Sequence, residues 1–198
     1  MAKRDRKKEI MEVAERLFAS KRFHEIKMDD VAAAARVGKG TIYRYFKDKD
    51  DLFVQTLLSG FDELCELVGS KIPEEEAFLK RLSLLCKFIG KHFRRKHNFF
   101  KMSHSGDVQI LWARKDVRKE LFERRKKMIE MVAGVIRKGI EEGDVRRDIK
   151  AEVLAAFLLG MLWTRDHDLG NAPKAMKKDK VIVELFYRGV KRNEGEKV

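Results

Sequence analysis

The sequence predicts an all-α protein. Three observations carry this: only two prolines, Pro73 and Pro173, interrupt 198 residues; β-branched runs are short; and apolar residues recur at the i, i+3, i+4, i+7 spacing of a buried helical stripe. About nine helices are expected along the chain. Apolar residues make up 44% of the chain, enough to build a sizeable core, so the 39% of charged residues does not imply disorder.

The elements follow in order. Ile10, Val13, Ala14, Leu17 and Phe18 define one stripe of a helix over 6–20, with Lys7, Lys8, Glu12, Glu15 and Arg16 on its other face. A connector with Phe23 and Ile26 leads to a short helix over 29–35, whose first turn holds Asp29 and Asp30, where the helix dipole favours carboxylates. Arg36-Val37-Gly38 reads as a tight turn before a third helix over 39–46. Lys47-Asp48-Lys49 separates it from a longer helix over 51–70. Beyond Pro73, Glu74-Glu75-Glu76 reads as an acidic helix start, continued by a stripe of Leu79, Leu82, Leu85, Phe88, Ile89 and Phe93. Residues 97–106 read as irregular, 117–142 as a helix stopped by Gly143, and 150–166 as a helix apolar nearly all round. A break over 169–173 precedes a last helix over 174–192 and a polar tail from Asn193.

Composition removes several classes. Cys65 and Cys86 are too few for a disulfide framework or a structural zinc site. No apolar run reaches the roughly 18–20 residues needed to cross a bilayer. Glu9 and Glu12 stand where a signal peptide needs apolar residues, so a cytoplasmic protein is expected. The net charge of +13 points to an anionic partner. It does not locate the contact, because residues 1–50 carry 14 basic and 9 acidic residues and most of the excess lies outside them.

Three short helices in the first fifty residues, the second and third joined by a three-residue turn, have the layout of a helix-turn-helix. At about 100° per residue, Ile42 and Phe46 share one side of the third helix with Lys39 nearby. Gly40 and Arg44 fall opposite, flanked by Thr41 and Tyr43. One face is anchored; the other presents a cation, a hydroxyl, a phenol and bare backbone.

The run from Val37 to Leu52, with Val31-Ala32 and the first-helix stripe before it, closely resembles the TetR (tetracycline-repressor-type) family of bacterial transcription regulators. The resemblance covers about residues 6–53. It implies a headpiece, residues 1–50, that grips a palindromic double-stranded operator. A helical domain, residues 51–198, would then dimerise and sense a small molecule that releases the repressor. Carried over by position, Lys39, Thr41, Tyr43, Arg44 and Tyr45 form the groove-facing and phosphate-contacting set, and Lys49 matches a lysine that holds a backbone phosphate. The chemistry agrees: Arg pairs bidentately with guanine, Lys and Tyr suit phosphate oxygens, and Gly40 lets the helix N-terminus approach the backbone.

The chain departs from the family's pattern at four places. Val13 stands for an alanine. Lys27 replaces a Ser or Thr cap, whose loss costs about 0.5–2 kcal/mol. Arg36 replaces the turn glycine, which is strained if the turn needs φ > 0. Gly38 replaces a serine at a cost of only a few tenths of a kcal/mol.

Outside this segment the signals thin. Lys3, Arg4, Arg6, Lys7 and Lys8 read equally as a solubilising tail or as an arm on phosphates. His92 and His97, and Asp166-His167-Asp168, lack the spacing of a helical metal site, so no metal or cofactor is expected, and the two thiols read as buried and inert. Phe88, His92, Met102, Trp112, Met128 and Trp163 are candidate lining residues of an effector cavity. The helices over 150–166 and 174–192 are the candidate homodimer interface. An enzyme is disfavoured because paired carboxylates, a nucleophile motif, a metal cluster and a phosphate loop are all missing. A membrane-surface module is disfavoured because basic and acidic residues are interspersed. Scarce Asn and Gln beside abundant Lys and Glu point weakly to a heat-adapted source.

Overall fold

Helices account for nearly every ordered element in the computed structural model, which describes residues 5–96, 98, 114–169 and 172–192. Among the described residues there are eight α-helices: α1 (Arg6–Ser20), α2 (Met28–Ala35), α3 (Lys39–Tyr45), α4 (Lys49–Lys71), α5 (Phe78–Arg95), α6 (Lys115–Glu141), α7 (Ala151–His167) and α8 (Asp179–Val190). Short 3-10 turns lie at Phe23–Glu25 and Lys174–Lys177. The segment 97–106 and the tail from Asn193 lie wholly or mostly outside the described residues.

The chain divides into two compact units: residues 1–62 with 96–124, and residues 63–95 with 125–198. In the first, Ile10, Ala14 and Phe18 of α1 are buried with Ile26, Val31, Ile42, Phe46, Phe53 and Leu57. Phe18, Phe23 and Phe53 form an aromatic trio, with centroids 5.7 Å apart for Phe18–Phe23, 4.9 Å for Phe18–Phe53 and 5.2 Å for Phe23–Phe53. Ion pairs add Lys96–Glu15 at 3.3 Å and Arg124–Asp62 at 3.2 Å. Asp5 caps α1 by accepting the Lys8 N–H at 3.2 Å, satisfying one of the helix's orphan donors.

The second unit packs α5 against α7 and α8. Its core includes Leu82, Leu85, Cys86, Ile89, Phe93, Val132, Ile136, Leu154, Leu158, Leu162, Ile182 and Phe186. Two arginines are also buried. Arg81 pairs with Glu142 and donates to the carbonyls of Glu74 and Glu76. Arg165 donates to both carboxylate oxygens of Asp166 and to Asp179 at 2.6 Å. The end of α8 is pinned by an antiparallel bridge between Val145 and Lys191. Gly143 ends the turn after α6 with φ +85°, as a helix stop requires.

Three features differ from the sequence expectation. Residues 74–76 form a turn and α5 begins at Phe78, because Arg81 takes the backbone carbonyls of that turn. Leu79 is consequently exposed, not part of the buried stripe. The last helix is split: Lys178 is extended with φ −68° and ψ 142°, and α8 starts at Asp179, whose carboxylate Arg165 holds.

Candidate nucleic-acid interface

Local chemistry sets the two helices of the motif. At α2, Lys27 offers no side-chain cap, and the reciprocal half is made instead: the Lys27 N–H donates to the Asp30 carboxylate at 2.8 Å. Helix α2 then ends on Arg36, in the left-handed conformation with φ 54°. The Arg36 N–H donates to Ala33 O at 3.1 Å and the Val37 N–H to Ala32 O at 3.0 Å, the paired bonds of a Schellman turn. The turn therefore does use φ > 0, and Arg36 occupies it at a steric cost glycine would not bear. Gly38 is extended before α3 and supplies no side-chain cap.

Ile42 and Phe46, 0% and 1% exposed, anchor α3. That leaves Lys39, Gly40, Tyr43 and Arg44 exposed, with Thr41 and Tyr45 half-buried at the flanks. The helical wheel places Ile42 and Phe46 inward and Gly40 and Arg44 outward, as seen, whereas Lys39, which it sets near the anchored side, is exposed. A Cβ added at Gly40 meets nothing within 4 Å, so no packing inside the chain demands a glycine there. Arg44 lies over the Tyr45 ring, 5.0 Å from its centroid, and donates to the Tyr45 hydroxyl at 3.3 Å. This stacking restricts the guanidinium before any partner arrives.

Lys39 and Lys49 of the motif are engaged within the fold. Lys39 pairs with Asp29 at 2.8 Å, and this exposed partner raises the affinity of the ammonium for its proton. Lys49 is half-buried and donates to the carbonyls of Phe23 at 2.7 Å and Ile26 at 2.9 Å. Its ammonium also sits 4.3 Å from the Phe23 ring centroid. Asp48 caps α4 by accepting the Asp51 N–H at 2.8 Å.

In the proposed arm, Arg6 pairs with Glu9 at 2.7 Å and Lys7 lies 5.8 Å from the Phe46 ring centroid; Lys8 is exposed, and Lys3 and Arg4 lie outside the described residues. Of the candidate effector residues, His92 is buried and Phe88, Met128 and Trp163 are half-buried, while Met102 and Trp112 lie outside the described residues. Trp163 meets Phe93 edge-on with centroids 6.3 Å apart, a contact the sequence reading did not single out. Asp29 was likewise missed as the partner of Lys39: ten residues and a turn separate them, and no helical spacing relates them. The Cys86 thiol is pushed up to about 12 by burial, which keeps it protonated and unreactive. Among the described residues no group of three or more His, Cys, Asp or Glu side chains is placed to hold a metal ion. None of their helices is long and apolar enough to cross a membrane.

An exposed polar face on a short helix, entered through a tight turn and anchored by two buried side chains, defines a helix-turn-helix protein. Residues 10–56 match the family profile described as bacterial regulatory proteins, tetR family. The chain is 22% identical over 160 residues to the fatty acid metabolism regulator protein of Bacillus subtilis, covering 81% of each chain. It is 27% identical over 166 residues to the transcriptional repressor KstR2 of Rhodococcus jostii, covering 81% of this chain and 78% of that one. The fold is shared with the fatty acid degradation regulator FadR of Bacillus halodurans, at TM-score 0.76 and 18% identity over 94% of this chain and 97% of that one.

Proposed function

We propose that the protein is a cytoplasmic, homodimeric repressor, without catalytic activity, that binds a palindromic DNA operator and leaves it when a small molecule occupies the C-terminal domain. Residues 1–50 act as the DNA-binding headpiece and 51–198 as the effector-binding and dimerisation domain. The carrying observation is the exposed face of α3 opposite the anchored Ile42 and Phe46. On this reading Arg44 reads a base edge, Tyr43, Tyr45 and Thr41 contact the phosphate-sugar backbone, and Gly40 admits that backbone close to the helix N-terminus. Lys39 exchanges Asp29 for a phosphate.

Two relatives favour an apolar effector by their names, one a fatty acid metabolism regulator and one the repressor KstR2, whose Mycobacterium tuberculosis counterpart is a ketosteroid transcriptional regulator. Phe88, His92, Met128, Trp163 and, from the sequence alone, Met102 and Trp112 are the residues proposed to line its cavity. Exposed Val153 and Phe157 on α7 and Leu185 on α8 support a two-fold contact through those helices. Effector release needs a coupling of about 1–3 kcal/mol between the sites.

The test compares the folded wild type with a Tyr43→Ala, Arg44→Ala double variant on duplexes recovered by selection from a random pool. Loss of preference over random DNA, at unchanged helicity, is the expected result. Undiminished preference removes these residues from the interface.

A further inference from the structure

The position of Lys49 conflicts with the phosphate-holding role that its place in the motif implies. A lysine at the first residue of a helix places positive charge beside the positive end of the helix dipole, which is unfavourable. Here the side chain turns back instead. Two of its three N–H donors go to the carbonyls of Phe23 and Ile26, and the ammonium faces the Phe23 ring. Those carbonyls belong to the first residue of the 3-10 turn that joins α1 to α2 and to the residue just after that turn, and Phe23 belongs to the trio with Phe18 and Phe53. Ile26 itself is 1% exposed. Swinging the ammonium out to a phosphate would give up both hydrogen bonds and the ring contact together.

We propose that Lys49 is a positioning residue: its ammonium fastens the first turn of α4 to the connector ahead of α2, setting the pose of the helix-turn-helix, and it makes no contact with DNA phosphate. The inference rests on the DNA-binding reading above. It divides the cations of the motif into two kinds, with Arg44 and Lys39 free to turn outward and Lys49 turned inward.

The salt dependence of binding separates the two roles, since each phosphate contact adds about 0.9 to the slope of log K against log salt. Binding of the full-length chain to its selected operator is measured from low to high salt, well below the melting temperature, for wild type, Lys49→Met and Lys49→Arg. Lys49→Met is expected to lose about tenfold in operator affinity at an unchanged slope, with Lys49→Arg restoring part of it. A slope lower by about one for Lys49→Met overturns the proposal in favour of a phosphate contact. So does an unchanged affinity of the folded variant, which would leave Lys49 a stabilising residue only. If Lys49→Met does not fold, nitrogen-15 NMR of the wild-type lysine ammonium groups decides, with the Lys49 signal assigned by Lys49→Arg. A signal unmoved by operator supports the proposal, and one displaced on binding overturns it. A wild type with no sequence preference removes the DNA-binding reading itself and is recognised before any variant is compared.

Discussion

Arg36 and Gly40 depart from what their own helices would prefer, in opposite senses. Arg36 holds a left-handed conformation that costs an L-residue about 1–2 kcal/mol, partly offset because a non-glycine chain has less freedom to lose. Arg36→Gly should therefore raise stability by about 0.5–1 kcal/mol, read from chemical denaturation, with operator binding intact. Gly40 is the reverse case: no neighbour forbids a side chain, and glycine weakens the helix. Gly40→Ala should stabilise α3 by about 0.5 kcal/mol and weaken operator binding, if the bare backbone exists to meet DNA. A variant that is more stable and binds equally well would remove that role. The exposed faces of Tyr43 and Arg44 were legible in the sequence because helical periodicity alone fixes them once Ile42 and Phe46 are assigned inward. The inward turn of Lys49 was not, because its partners stand 26 and 23 residues earlier and their carbonyls carry no side-chain signal.

Helix boundaries show the same division between local and distant causes. The bounds of α1, Arg6–Ser20, were readable because its stripe and its Asp5 cap are all local. The start of α5 and the split before α8 were not readable, because each is set by a buried arginine, Arg81 or Arg165, reaching a segment several residues away or on another helix. Close helix packing also shows only in three dimensions. A Cβ built on Gly139 of α6 comes within 2.4 Å of the buried Phe78 ring, which has no room to retreat. Gly139→Ala should lower stability by about 1–3 kcal/mol, measured by thermal melting, although alanine is the better helix former. The Arg81–Glu142 pair makes a pH prediction. The guanidinium holds the Glu142 carboxyl below its usual value of 4.5, so the pair's contribution is full above that value and is lost as pH falls through the lower folded one. Glu142→Gln should shrink the acid loss of stability between wild type and variant below about pH 4.5.

At the scale of the molecule, α7 carries apolar residues on too many sides for one bundle to cover. Leu154, Ala155, Leu158 and Leu162 are buried, whereas Val153 and Phe157 remain exposed at 42% and 63%. Leu185 on α8, at 59%, extends the uncovered surface. A symmetric pairing of these helices would remove that surface from water, and operator half-sites would then be read by two headpieces at once. Phe157→Asp with Leu185→Asp should give a folded monomer by sedimentation, with operator affinity reduced by orders of magnitude. A variant that stays dimeric would place the interface elsewhere. The central claim is that α3 reads DNA sequence, and selection of bound duplexes from a random pool tests it most directly. The account predicts enrichment of a two-fold symmetric motif whose half-sites lie about one helical turn or a multiple apart. A recovered pool with no sequence preference would contradict it.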